Sequence, residues 1–235
     1  MRGKIEMKVN VISSQEDLEK LKPSNSDKVI LLITNNINLT RSFKPINMEN
    51  NDVIVFGNNK TISNLNIDNL ESKGTGIFSK VKNLYVRNLN IEGARINAEE
   101  VCGVLCGDVN GDFTCKNSKV SSVIHADSMA GGLVGVARNI DLDNVCINTY
   151  IEARGCIGGV AGMANTYTES NTNVNSTLKS TYSNLAHDTL THFDVGHLNS
   201  REKGKIHYMA KEENDRIDES EDRHEYNLAM RYMGN

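Results

Sequence analysis

The chain has no tryptophan, only 2 prolines, and aromatic residues at just 5% of its 235 positions. Its core can be sizeable but cannot rest on large rings. Long apolar runs are missing too: Val29-Ile-Leu-Leu-Ile33 is the longest, far short of the roughly 20 residues needed to span a bilayer. The start, Met1-Arg-Gly-Lys-Ile-Glu-Met-Lys8, has no apolar stretch followed by small cleavage-site residues, so it does not read as an export signal, and a cytoplasmic location is expected. Net charge is only −4, which gives no global electrostatic reason to expect nucleic acid or an anionic membrane as partner. A phosphate loop of the Gly-x-x-x-x-Gly-Lys-Ser/Thr type is absent, as is any Gly-x-Ser-x-Gly nucleophile turn.

What the chain does have is asparagine, isoleucine, valine and 18 glycines, a composition that suits short strands joined by polar turns and not a helical bundle. Glycines standing before an apolar pair recur at Gly76, Gly103, Gly132 and Gly159, with steps of 27, 29 and 27 residues (103−76, 132−103, 159−132), and Gly135 and Gly162 follow the last two. Such a period means stacked repeats. Asn64, Asn88, Asn117 and Asn144 form a second series, with an apolar residue three positions after the last three, at Ile91, Val120 and Ile147. The two series predict a solenoid whose coils pair in parallel and in register. Alternation points Leu84, Val86, Phe113, Cys115, Ile140 and Leu142 inward, and leaves Tyr85, Arg87, Thr114, Lys116, Asp141 and Asp143 outward. Asparagines at a corner can satisfy backbone amides or bond along the stack, and glycines tolerate a corner's angles. Offset counting from Gly159 reaches Asn171 and Val174, but Glu169 takes an inward place, so the stack is expected to fail there.

Three units follow. Residues 1–26 are an N-terminal cap: a strand at Lys8–Ile12, then a short helix begun by a capping box on Ser13 and Glu16, with Leu18 and Leu21 on its apolar face. Residues 27–175 are the solenoid, with about five coils. Residues 176–235 are a polar extension, helical near 209–233, where a charged run precedes Tyr226, Leu228, Met230, Tyr232 and Met233. That end either docks on the last coil as a cap or binds a partner or a second copy.

The runs Leu32-Ile-Thr-Asn-Asn-Ile-Asn-Leu39, Phe56 to Ile67, Gly76-Ile-Phe78 and Gly131-Gly-Leu-Val-Gly135 together resemble the GLUG-motif repeats of bacterial surface proteins, which include the non-catalytic region of IgA-cleaving metallopeptidases. The resemblance covers roughly residues 13–165. It implies an all-β fold, a right-handed parallel β-helix. Peptidase activity is not implied, because the His-Glu-x-x-His zinc helix is absent.

Each candidate chemistry has a plainer reading beside it. Cys102 and Cys106 have zinc-ligand spacing, but no second pair follows at finger spacing; together with Cys115, Cys146 and Cys156 they read as reduced thiols, mostly small buried filler. Cys106 aligns with Gly135 of the next repeat. His187, His192 and His197 lie five apart, a spacing that fits neither a helix face nor one side of a strand. Asp141 and Asp143 share one side of a strand, as paired glycosidase carboxylates would, but Lys116 on the neighbouring coil makes an ion pair the simpler account. His125 is placed at a corner.

The expectation is a non-enzymatic protein-binding module with no cofactor and no metal. Its partner is a protein or ribonucleoprotein, met by Tyr85, Arg87 and Lys116 on the outward ladder and by Tyr226, Met230 and Tyr232 in the tail. One form of it is a phage or mobile-element inhibitor that occludes a host macromolecule such as a defence nuclease. The rival readings are a fragment of a surface adhesin and a carbohydrate-active enzyme.

Overall fold

The computed structural model describes residues 7–69, 74–180 and 195–198. The chain forms a parallel β-solenoid of about five coils. It begins with β1 (Met7–Ile12), α1 (Gln15–Glu19), β2 (Lys28–Ile33), β3 (Ile37–Asn38), β4 (Ile46–Ser63) and β5 (Asn66–Asn69). Full coils follow as β6 (Phe78–Ala98), β7 (Val101–Gly103), β8 (Cys106–Ala126), β9 (Met129–Gly131), β10 (Val134–Ala153) and β11 (Ile157–Gly158). The end is built from β12 (Ala161–Ser170), β13 (Asn173–Ser180) and β14 (Val195–Leu198). One sheet runs β1-β2-β4-β6-β8-β10-β12-β14, and β7, β9 and β11 make a second, narrow one. Strand β13 carries the ladder past residue 175 by pairing with β10, and β14 adds a further parallel rung on β12.

Each coil has a bend built on an asparagine. Asn59, Asn88, Asn117, Asn144 and Asn171 all take left-handed backbone angles, φ of 56°, 54°, 49°, 54° and 48°. Asparagine is the ordinary choice where glycine's freedom and a polar side chain are both needed. Register corrects one expected rung: Lys60 pairs with Leu89, which sets Asn59, and not Asn64, beside Asn88. Asn64 is left-handed as well, at φ 59°, but it lies at a different bend, next to Gly93 at φ 65°. Each left-handed residue interrupts the ladder at its bend. At one such interruption the buried Ser118 hydroxyl accepts from Leu89 N–H at 3.2 Å and donates to Lys116 C=O at 2.8 Å.

The glycine series also shifts. Gly103 pairs with Gly131, and Gly131 with Gly158, steps of 28 and 27 residues (131−103, 158−131). Val104, Gly132 and Gly159 therefore form the next column. Cys106 pairs with Val134, so Gly107 and not Cys106 is the counterpart of Gly135. Two adjacent glycines in Gly131-Gly132 permit either alignment, and only the pairing decides. Gly76 sits beside Gly103 through the Thr75–Cys102 bridge. The corner needs glycine because neighbouring coils touch there: a Cβ on Gly135 would lie 2.6 Å from Gly107 O, and one on Gly162 2.9 Å from Gly135 O.

Inside, aliphatic columns run the length of the stack. Ile37, Ile62, Ile91, Val120, Ile147 and Val174 are successive partners in one column, and Ile67, Ile96, Ile124, Ile151 and Leu178 in another. All nine residues expected inward from Leu84 to Ile147 are buried, Cys115 included. Burial pushes the Cys102 and Cys115 thiols up to about 12 and raises that of Cys106 as well. Cys146 differs: it is exposed, and Cys156 is half-buried. At β12 two inward columns receive Tyr167 and Glu169 in place of Ile140 and Leu142, while β13 continues the others with Val174 and Leu178.

Helix α1 closes the opposite end with Leu18 on the core, and Leu21, just past the helix, joins it there. Its N-cap is Ser14, whose Oγ accepts from Asp17 N at 3.3 Å, one residue later than the expected Ser13 box. Asp17 in turn accepts from both Ser13 N and Ser13 Oγ, at 2.9 and 2.8 Å, and these bonds hold its carboxyl below the usual range. Buried Asn51 ties the cap to the first coil, donating to Ser24 O and Ser26 O and accepting from Ser24 N. The tail residues Tyr226, Met230 and Tyr232, with His187 and His192, lie outside the described residues, as does the expected helix near 209–233.

Candidate functional surface

The solenoid offers two broad outward faces separated by the asparagine bend. On the first, the register gives two columns: Val9, Ile30, Ile54, Tyr85, Thr114, Asp141, Thr168 and, beside it, Val11, Leu32, Phe56, Arg87, Lys116, Asp143, Ser170. Chemistry changes along them, from apolar at the capped end through the cations Arg87 and Lys116 to carboxylates and hydroxyls. Tyr85, Arg87 and Lys116 are thus brought together on adjacent strands, as their spacing predicted, with Tyr85 38% exposed. Lys116 neighbours Asp143 across the ladder. Both carboxylates are tied to the next coil: Asp141 Oδ1 accepts from Thr168 Oγ1 at 3.0 Å and Asp143 Oδ1 from Ser170 Oγ at 2.7 Å. Those bonds give the aspartates a structural task.

The second face carries a constellation that spacing analysis overlooked. His125 is not at a corner but inside β8, in an outward column with Asn97, Glu152 and Lys179. Tyr150 stands in the next column, with Arg95, Val123 and Thr177 as its rung partners. Glu152 is the hub. It accepts from Lys179 Nζ at 2.9 Å and Tyr150 Oη at 3.1 Å, and His125 Nδ1 lies 3.8 Å away. The rings of His125 and Tyr150 are 6.1 Å apart and tilted by 58°. The signal was in the sequence as a constant step, 152−125 and 179−152 both being 27.

Electrostatics define what this cluster can do. Lys179's hydrogen bond holds the Glu152 carboxyl below its ordinary value, and Glu152 raises the Lys179 ammonium in return. The Tyr150 phenol is pushed up, chiefly by burial and next by its bond to Glu152. A phenol so held stays protonated near neutral pH and donates; it is poorly suited to abstract a proton. The set is therefore matched to recognition by hydrogen bonds and charge. No group of three or more metal-ligating side chains occurs among the described residues.

Along the bend itself, Asn59, Asn88, Asn117, Asn144 and Asn171 line a polar groove of about 570 Å³. Its lining amides are partly spent on each other: Asn144 Nδ2 donates to Asn117 Oδ1 at 2.8 Å. Another side-chain ladder runs parallel to it, Asn83 donating to Asp52, Asn139 to Asp112 and Thr166 to Asn139, at 2.7 to 2.8 Å.

No protein-family model matches the chain, and no solved structure matches it. It is similar to Halomucin of Haloquadratum walsbyi (strain DSM 16790 / HBSQ001), with 34% identity over 84 residues. That match covers 35% of this chain and 1% of the length of Halomucin.

Proposed function

We propose that the solenoid is a non-enzymatic binding module that takes a protein partner on its second outward face. The observation that carries this is the patch of Val123, Tyr150 and His125. Val123 is 39% exposed on a flat sheet face, two rings stand beside it, and Arg95, Glu152 and Lys179 surround them with charge. An apolar and aromatic centre inside a charged rim is the usual anatomy of a protein interface. In its finer form the module is an inhibitor from a phage or mobile element that occludes a host protein or ribonucleoprotein. A composition rich in Asn, Lys and Ile supports that form.

The test is capture from bacterial lysate with the full chain as bait, run beside Val123→Asp and Tyr150→Ala variants that melt at the parental temperature. A stoichiometric protein recovered by the parent and lost by both variants supports the reading. Equal recovery by all three, or none by the parent, rejects it. Polysaccharide turnover abolished by Asp141→Asn would replace it with the enzyme reading.

The Halomucin match favours a second reading, in which such coils are one piece of a much larger protein, as an adhesin fragment would be. The coding sequence on either side of the gene decides between them: continuous repeats would favour the larger protein.

A further inference from the structure

The first outward face holds an apolar cluster that the lumen does not account for. Ile30, Leu32, Ile54 and Phe56 occupy the outward columns of β2 and β4, while Val29, Leu31, Val53 and Val55 fill the inward ones. Outward positions on this face ordinarily keep open surface: Val11 is 47% and Tyr85 38% exposed. Ile30, Leu32, Ile54 and Phe56 are only 0–5% exposed, and the described side chains packed against them are Met7 and Val9, on the edge strand. The face is shaped to hold something.

We propose that the occupant is the C-terminal segment of the same chain, with Tyr226, Met230 and Met233 seated on Ile30, Leu32, Ile54 and Phe56. Three observations point to it. The first is chemistry: Tyr226, Met230 and Met233 follow helical spacing, one apolar stripe of the kind that fits a shallow aliphatic bed. The second is charge. Residues 211–225, immediately before that stripe, hold eight carboxylates against three Lys or Arg, and the bed is flanked along its columns by Arg87 and Lys116, with Lys28 at its start. The third is reach. The last described strand, β14, pairs with Ala161–Ala164 of β12, five ladder steps from β4 along the stack, or roughly 24 Å at about 4.8 Å per step. Twenty-seven residues separate Leu198 from Tyr226 and cover about 40 Å even if fully helical. The far end of the stack, by contrast, already carries β14 and presents Tyr167 and Glu169 in its inward columns, a poor seat for an acidic segment.

Of the residues that the sequence marks as partner-binding, Arg87 and Lys116 on one side and Tyr226 and Met230 on the other thereby become partners within one chain. The seating needs no external ligand and leaves the Val123–Tyr150 face open, so its success or failure is separate from that of the binding reading.

The experiment is amide hydrogen exchange of residues 212–233 in the full chain at two protein concentrations, with Arg87→Glu/Lys116→Glu and, reciprocally, Glu221→Lys/Asp222→Lys. The tail amides are expected to be protected at both concentrations. Each pair of reversals should speed their exchange by about tenfold, the worth of two lost partly desolvated ion pairs, and combining the two pairs should restore protection. The tail pair lies outside the solenoid, so it reads the contact even if the face pair disturbs folding. Unprotected tail amides, protection that vanishes on dilution, or exchange indifferent to the tail reversal would each overturn the proposal.

Discussion

Asn144 Nδ2 donates to Asn117 Oδ1 at 2.8 Å while both residues hold left-handed backbone angles, φ 54° and 49°. One residue type thus solves two problems at the bend. Replacing Asn144 by Ala should cost about 2 kcal/mol, from the left-handed strain and the lost bond together. Asn144→Gly keeps the backbone and loses only the bond, so about 1 kcal/mol is expected. Urea unfolding of the two variants gives the comparison, and an alanine variant as stable as the glycine one would remove the strain argument.

Glycines divide by what stands over them. A Cβ on Gly135 would meet Gly107 O at 2.6 Å and Cys102 N at 2.9 Å, both backbone, so Gly135→Ala should destabilise by about 3 kcal/mol or more. Gly93 has φ 65° but open space, its nearest neighbour being Asn64 Oδ1 at 3.6 Å. Gly93→Ala should therefore cost only the angle, about 1 kcal/mol. The ranking is read from denaturation midpoints.

Thiol labelling should split the cysteines. With thiols buried and raised to about 12, Cys102 and Cys115 should resist alkylation in the native protein at pH 8, and Cys106 with them. Cys146 should label within minutes. Mass spectrometry of the native and urea-unfolded chains decides, and native labelling of Cys115 at the rate of Cys146 would contradict the buried columns.

Acid should weaken the second face. Glu152 is depressed in the folded chain relative to its ordinary value of 4.5, so its contribution is present above pH 4.5 and is lost as pH falls through the depressed value. The melting temperature of the parent should therefore exceed that of Glu152→Gln at pH 6 and converge on it as pH falls below 4.5. A constant gap across that range would mean that Lys179 and Tyr150 do not hold the carboxylate.

The inward columns were legible because alternation with a 29- or 27-residue return (113−84, 140−113) leaves each of Leu84, Phe113 and Ile140 a single place to go. Register was harder. Asn64 and Asn88 stand in the same string, Asn-Leu-Asn-Ile, which suggested one rung, yet the pairing puts Asn59 beside Asn88. Local likeness between two coils says nothing about how many residues each spends before the bend, and β4 and β6 spend different numbers. Gly131-Gly132 misled in the same way. His125, Glu152 and Lys179 went unseen for another reason: each is unremarked in its own coil, and only the stacked second face makes them neighbours. Tyr85, Arg87 and Lys116 were found because a strong strand pattern surrounds each of them.

The capped end carries one more feature with a consequence for the protein in concentrated solution. The register of β1 puts Lys8 and Asn10 in the inward columns of Val29 and Leu31. An open strand edge would otherwise accept another chain. A second copy stacked on β1 would have to continue those columns over an ammonium and an amide, burying both in a lumen that offers aliphatic neighbours. Growth into fibres is thus opposed at this end by two side chains, and Lys8→Val/Asn10→Val would make the stack a template for its own polymerisation.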